Sequence, residues 1–242
     1  MQWVLALAVT LTGCDAVLRL QTVSDRHPDA LPDVAIPDGL VAYYPFESLD
    51  QTCASDVVGG HDGTCTGGTP TQVQGPAGHG MALALDGQTY AVVPTAPALD
   101  TTAGGFTIAV WVAPAGFNPD FVTYSCVVNR VYGTTGADSW QICGRPSDTY
   151  WLFGGSWFGT SPLQLGGWTH LALTWDGQTM TAWAAGAMLQ SATAGQPVLD
   201  AQGLWFGADN DGGPAAYYTG ALDEIRIYNR ALSADEIVML AH

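Results

Sequence analysis

The chain has 242 residues, 22 of them acidic and 6 basic, for a formal net charge of −16. It contains no lysine, all its basic residues are Arg, and its acids are nearly all Asp, so it lacks the basic footprint of a nucleic-acid binder and is poor in helix formers. Its 30 Gly and 14 Pro punctuate a 48% apolar chain rich in Val, Tyr and Trp, which points to an all-β protein with many tight turns and ample core.

Met1 to Gly13 carries no charged side chain, and Trp3 to Leu11 is mostly apolar, too short to span a bilayer but suited to the core of an export signal. Leu11-Thr12-Gly13-Cys14 then resembles the lipobox of bacterial lipoproteins, except that no Lys or Arg precedes the apolar run. The resemblance implies a signal peptide over 1–13, cleavage before Cys14, and acyl chains on Cys14 that each bury about 0.8 kcal/mol per CH₂ in the membrane. Asp15 resembles the inner-membrane retention signal of enteric bacteria, a rule other groups do not follow. The expected location is the bacterial cell envelope, at the outer membrane, with the lipid anchor as the membrane contact. Residues 14–37 mix Asp, Pro and Arg without an apolar period and read as a flexible tether.

The expected folded domain covers 38–242. From Gly39 onward, β-like runs alternate with turn residues about every eight to twelve positions, as in a sandwich of antiparallel sheets. Predicted strands run over Leu40 to Phe46, Met81 to Leu85, Tyr90 to Val93, Phe106 to Ala113, Cys126 to Arg130 and Trp140 to Cys143. Further strands are predicted over Tyr150 to Phe153, Trp168 to Trp175, Thr179 to Ala184, Gly203 to Gly207 and Ala221 to Asn229. Asp86-Gly87 and Asp176-Gly177 lie between apolar runs and predict hairpin turns, because Gly accepts the positive φ such turns need. Alternation puts His170 on the face opposite Leu171, Leu173 and Trp175, where it reads as a hydrogen-bonded strand residue rather than a catalytic base. Ser233 and Glu236 have capping-box spacing, which predicts a short C-terminal helix packing Ile237 and Leu240.

Besides Cys14 there are Cys53, Cys65, Cys126 and Cys143, and an even number in an exported chain favours disulfides, with three pairings open. The first two share a Gly-rich segment and the last two flank a predicted hairpin. The expected bonds are therefore Cys53 with Cys65 and Cys126 with Cys143. Metal ligation is the alternative, but the spacings match no zinc pattern.

Five segments occur in a telling order: Gly39-Leu40-Val41-Ala42-Tyr43-Tyr44-Pro45-Phe46-Glu47, then Gly80 to Gly87 with Tyr90 and Val92, then Phe106 to Val112. Gly167-Trp168-Thr169-His170 and onward to Gly177 follows, and Tyr218 to Ser233, with Leu222-Asp223-Glu224-Ile225-Arg226-Ile227-Tyr228-Asn229-Arg230, closes the series. Together they resemble the bacterial laminin G-like, or concanavalin A-like, jelly rolls over Gly39 to Leu240. The resemblance implies an antiparallel β-sandwich of jelly-roll type with Trp111, Trp168 and Trp175 in its core. The chain departs from the family at Ala185-Gly186, where Asp-Gly or Asn-Gly is common.

That fold hosts glycosidases, lectins and protein-binding modules, so the residues have to decide between them. A retaining glycosidase needs two carboxylates about 5–5.5 Å apart. Here the three Glu make no Glu-x-Asp-x-x-Glu arrangement, and adjacent strand residues Asp223 and Glu224 point to opposite faces. No Gly-x-Ser-x-Gly occurs either. The expectation is a binding module without catalytic residues, its partner a glycan or a surface protein. A structural envelope protein and a glycoside-active enzyme are the alternatives.

Calcium is the candidate ion, since it takes carboxylate and carbonyl oxygens. Asp209-Asn210-Asp211-Gly212-Gly213 offers three oxygen side chains, with a solvated turn as the plainer reading, while the resemblance implies a site near the opening and closing strands that involves Glu47 or Asp223. Candidate stacking residues for a ligand are Trp151 and Trp157 in the aromatic run Tyr150 to Phe158, and Tyr217 and Tyr218 beside the Asp-rich loop; core filling competes for them. The net charge opposes tight binding to acidic polymers unless calcium bridges them.

Overall fold

The computed structural model describes residues 36–49, 52–100, 104–117, 124–132, 137–210 and 212–242. The expected signal peptide, Cys14 and nearly all of the tether lie outside these residues. In chain order the strands are β1 (Leu40–Tyr44), β2 (Thr64–Thr66), β3 (Thr71–Gln74), β4 (Met81–Asp86), β5 (Tyr90–Val93) and β6 (Phe106–Gly116). Then come β7 (Ser125–Tyr132), β8 (Ala137–Arg145), β9 (Asp148–Phe153), β10 (Ser156–Thr160), β11 (Thr169–Trp175) and β12 (Thr179–Ala184). β13 (Ala187–Thr193), β14 (Leu204–Phe206), β15 (Asp209–Asn210), β16 (Pro214–Ala215) and β17 (Thr219–Tyr228) lead to helix α1 (Ala234–Leu240).

The first sheet runs β13-β12-β11-β6-β17-β4-β3, with β1 also paired to β17; the second runs β10-β9-β8-β7-β14-β5-β2, and β15 with β16 forms a small ribbon. Neighbouring strands are antiparallel, as the central pair shows, with Ile108 opposite Leu173 and Val110 opposite Leu171. The period of two sends Phe106, Ile108, Val110 and Val112 of β6 into the core with Leu171, Leu173 and Trp175 of β11. Val128, Ile142, Trp151, Phe153 and Phe206 meet them from the facing sheet. Aromatic rings cross the gap: Tyr44 touches Phe206 edge-on at 5.0 Å, and Phe106 lies 5.0 Å from Trp140 and 5.5 Å from Phe153. Each such pair adds about 0.5–1.5 kcal/mol beyond its buried area.

The outer face of the first sheet is covered as well. Ser233 accepts from the Glu236 N–H and Glu236 reaches back to Ser233, the predicted capping box. The helix so started lays Ile237 and Leu240 over Ala109, Ala172 and Tyr228. Arg230 fastens it, donating to Glu236 at 2.9 and 2.5 Å.

Both expected disulfides are present, Cys53–Cys65 and Cys126–Cys143, the second joining directly opposed residues of β7 and β8. Loops of this length are constrained by roughly 3 kcal/mol each in the chain-entropy picture. Inside the first loop, Asp56 accepts from the N–H groups of Tyr43, Val58, Gly59 and His61 at 2.9, 3.0, 3.1 and 3.0 Å. Burial works to raise the Asp56 pKa, but these backbone donors outweigh it and hold the carboxyl below its usual range.

One predicted turn differs. Asp176-Gly177 joins the β11–β12 hairpin, but Asp86-Gly87 carries the chain from β4 in the first sheet to β5 in the second. Both Asp side chains accept from N–H groups two and three residues on, at 2.9 and 2.7 Å for Asp86 and at 3.0 and 2.8 Å for Asp176. The local turn is therefore the same, and long-range pairing makes one a hairpin and the other a corner. Strands β2, β3, β10, β13, β15 and β16 lie outside the predicted set; β2, β3 and β13 are largely exposed and carry no buried alternate face, and β15 and β16 are two residues each.

Candidate functional site

Register aligns one row of side chains across the second sheet. Trp157 on β10 faces Leu152 on β9, then Gln141 on β8, Asn129 on β7 and Trp205 on β14. Directly opposed residues share a face, and Trp157, 63% exposed, marks this one as outward. Its ring stacks on Tyr150 at 5.6 Å; Tyr150 meets Tyr124 at 4.7 Å, and the Arg145 guanidinium covers Tyr124 at 4.5 Å. Arg145 in turn forks onto Asp148 at 2.8 and 3.1 Å.

The expectation that Trp151 binds a ligand is corrected. Trp151 faces Phe158 and Ile142 and is fully buried, because one step along β9 from Leu152 reverses the face. Its indole N–H donates to Thr160 at 2.9 Å. Tyr218 is corrected for the same reason: it is fully buried in the core, its hydroxyl donating to the Ala221 carbonyl at 3.3 Å. Tyr217 is half-buried, edge-on to Tyr90, whose ring stacks on Trp205 at 4.9 Å farther along the outer face.

Beside the Trp157–Tyr150 pair opens a cavity of about 400 Å³ lined by Tyr132, Asp138, Gln141, Tyr150, Leu152 and Gln196, among others. That volume falls within the ~300–1,000 Å³ of small-ligand clefts. Part of its wall is the segment 195–198, which crosses the β9–β10 turn. The Ser139 hydroxyl donates to the Val198 carbonyl, the Gly154 N–H donates to the Ser139 carbonyl at 2.9 Å, and a Cβ on Gly154 would run into the Gly195 carbonyl. Glycine at 154, with φ +55°, is what lets the wall pass so close. Alternation groups Tyr150 with Leu152 on one side of β9 without saying which side faces out, and Gln196, distant in sequence, carries no signal.

The outer face of the first sheet holds a different cluster. On β17, Asp223 and Arg226 face Trp111 and Ala109 of β6, so β17 carries one residue too many, and Glu224 takes up the bulge at φ +54°. Trp111 itself points outward beneath His79, at 5.6 Å, rather than into the core as expected, since Val110 and Val112 take the inward positions. His170 packs on Trp111 at 5.5 Å and is buried with neither ring nitrogen hydrogen-bonded, which corrects the expectation of a satisfied residue. Burial first, then Arg226 and His79, push its pKa down to about 3 and keep the ring neutral.

Tyr43 donates to Glu224 at 2.6 Å, Arg226 donates to the same carboxylate and lies 4.4 Å above the Tyr43 ring, and His79 approaches at 3.4 Å. Burial raises the Glu224 pKa, but His79, Arg226 and Tyr43 outweigh it and hold the carboxyl below its usual range. Asp223 has the opposite fate. Burial, then the charges of Glu224 and Glu47, push it up to about 9, and its Oδ2 is buried without a hydrogen-bond partner. That oxygen faces Gly75, where a Cβ would lie 2.5 Å from it and 3.2 Å from the His79 carbonyl; the Glu47 carboxylate packs against Gly80 and accepts the Met81 N–H at 3.1 Å. This donor chemistry of two carboxylates and a carbonyl around a glycine turn fits calcium.

Asp209 lies apart from this cluster, on β15 of the small ribbon, accepting the Asn210 N–H at 2.7 Å, and Asp211 lies outside the described residues. Among the described residues no three His, Cys, Asp or Glu side chains form a metal-binding group.

Comparison with known proteins agrees with this architecture. The family profile described as the concanavalin A-like lectin/glucanases superfamily matches residues 85–238. Among solved structures, domain 4 of AbnA, a GH43 extracellular arabinanase from Geobacillus stearothermophilus, in complex with arabinotriose, superposes with a TM-score of 0.63 at 23% identity, covering 84% of this chain and 98% of that one. The binding domain of Paraclostridial Mosquitocidal Protein 1 gives 0.65 at 20% identity, over 84% of this chain and 52% of that one. Trypanosoma rangeli sialidase in complex with the inhibitor DANA gives 0.66 at 20% identity, over 85% of this chain but only 33% of the enzyme. At these identities the likeness is one of fold. No curated protein matches the chain significantly in sequence. With the profile covering well over half of the chain, the protein belongs to the concanavalin A-like lectin/glucanases superfamily.

Proposed function

We propose that the protein is a non-catalytic glycan-binding module that works through the outer face of its second sheet. The observation that carries this reading is Trp157, largely exposed, stacked on Tyr150 and flanking a cavity whose lining combines ring surface with amide, hydroxyl and carboxylate groups. Sugar rings are recognised by that combination of an apolar platform and a few convergent polar groups. The complex of the arabinanase domain with arabinotriose supports the same reading for a shared fold. Against catalysis, the lining among the described residues contains one carboxylate, Asp138, where glycoside hydrolysis ordinarily requires two. Glu224 is occupied by Tyr43, Arg226 and His79 on the other sheet. The test is affinity electrophoresis through gels containing plant and microbial polysaccharides. Retardation of the native chain that is lost in Trp157→Ala, with an unchanged melting temperature, is the expected result; equal mobility of both in every gel would end the glycan reading.

Calcium, in this proposal, is structural, held by Glu47, Asp223 and the His79 carbonyl, and it would supply positive charge to the orphaned Asp223 oxygen. A rise in melting temperature with added calcium that Asp223→Asn abolishes is expected, and a calcium effect retained by that variant would refute the assignment. The anchoring reading rests on the lipobox resemblance at Cys14 and is supported by two disulfides, which suit an exported chain. Among the described residues no helix is long and apolar enough to cross a membrane. Mass analysis of the native N-terminus should find an acylated Cys14, and an unprocessed Met1 on the exported protein would contradict it.

A further inference from the structure

We infer that the cavity beside Trp157 takes an uncharged glycan of at least two sugars and turns away anionic ones, an inference that rests on the glycan reading of this face. Among the described residues no Arg, Lys or His lines the cavity; Arg19 and Arg26 lie outside the described residues. Arg130 is buried on β7 and donates to Thr95, Asp100 and Asp200. Arg226 is held by Glu224 on β17, and Arg230, just past β17, by Glu236 of α1. Arg145, which does approach the aromatic ladder, has its fork closed on Asp148 and its plane laid on Tyr124.

The described lining residues therefore carry the Asp138 carboxylate, the Gln141 and Gln196 amides, and the Tyr132 and Tyr150 hydroxyls, with Gln141 hydrogen-bonded to Tyr150. Sugar hydroxyls, each a donor and an acceptor, match that set. A uronate, sulfate or sialyl group loses its water on entry and needs a cation to offset the loss, and this lining offers it another negative charge. The chain's net charge of −16 acts in the same direction at longer range.

Length follows from register. Gln141, Leu152 and Trp157 lie opposite one another on successive strands β8, β9 and β10, about 4.8 Å apart per strand. A ring seated over Gln141 and Leu152 has its neighbour over the free face of Trp157.

The experiment uses the folded domain and its Trp157→Ala variant. Neutral arabinan, xylan and β-glucan are compared with polygalacturonate, alginate and hyaluronan, each with and without calcium, followed by calorimetry with the mono- and disaccharide of any polymer that binds. Expected are Trp157-dependent binding to at least one neutral polymer, none to the acidic ones, and a disaccharide about tenfold tighter than its monosaccharide, a step lost in the variant. Trp157-dependent binding of an acidic polymer, in either calcium condition, overturns the charge selection while leaving the glycan reading intact. Equal affinity for mono- and disaccharide overturns the two-sugar arrangement. If no glycan binds, the underlying reading falls and this inference with it.

Discussion

The outer face of the first sheet is closed over its central strands, though not at its edges β3 and β13, and the outer face of the second is open along β9 and β10. On the first, α1 covers Ala109, Ala172 and Tyr228, the Gly75–Gly80 turn covers Asp223 and Trp111, and Trp111 packs on His170. Charges there are buried and answer one another, as in Tyr43, Glu224 and Arg226. On the second, Trp157 and the cavity face outward, and the nearest ion pair, Arg145 with Asp148, is partly exposed. The same jelly roll thus devotes one outer face to holding itself together and leaves the other for a ligand, so substitutions on the two faces should separate stability from binding.

The largest effect is expected at Glu224. Glu224→Ala leaves the Arg226 guanidinium buried without its carboxylate, and breaking a buried pair in this way costs about 3–5 kcal/mol. Urea unfolding of the variant should show that loss, whereas Trp157→Ala, on the open face, should stay within about 0.5 kcal/mol of the native chain. Equal losses at the two positions would erase the contrast between the faces.

A second measurement sharpens it through pH. In the unfolded chain His170 titrates near 6.5, while in the folded chain it remains neutral down to about 3. The unfolded state takes the proton first, so this contribution to stability is complete above 6.5 and is lost as pH falls towards 3. Glu224 and Asp56, whose carboxyls are held below their usual range, add further loss at lower pH. Asp223, held protonated in the folded chain up to about 9, contributes a slope of opposite sign over this range, so the His170 contribution is read by difference. Relative to the native chain, His170→Phe should make unfolding free energy fall less, or rise more, as pH drops from 6.5 to 5, and an unchanged slope would show that burial there does not exclude the proton.

The smallest expected effect concerns the β12–β13 turn, where the family's polar residue is absent. Ala185 holds φ +47° ahead of Gly186 at +78°. A left-handed position suits Asn better than Ala, and Ala185→Asn is expected to stabilise the fold by about 1 kcal/mol without altering binding, as thermal unfolding and affinity gels would report.

The architecture was legible because its signals are local. Period-two runs such as Phe106 to Val112, the Ser233–Glu236 capping box and the cysteine spacings each specify a contact within about twenty residues or one strand face. The site was legible only in part. Alternation separates Trp151 from Leu152, but deciding which of them faces the opposite sheet requires knowing where β9 sits between β8 and β10. Of the two Trp candidates Trp157 takes the outward face, and Tyr217 stays half-buried beside Tyr90. Asp86-Gly87 and Asp176-Gly177 share turn chemistry, and only the distant partners β17 and β14 tell the corner from the hairpin. Gln196 reaches the cavity because Gly154 lacks a side chain, and Glu47 approaches Asp223 across most of the domain. Neither proximity has a local sequence signature.

The most direct test is an NMR titration of the isotopically labelled domain with a neutral oligosaccharide selected from the gels. Shifts confined to the Trp157 indole, the Gln141 and Gln196 side-chain amides and the backbone of Gly154 and Gly155 are expected. Shifts centred instead on Trp111, His79 and helix α1 would place the ligand on the closed face and contradict the account.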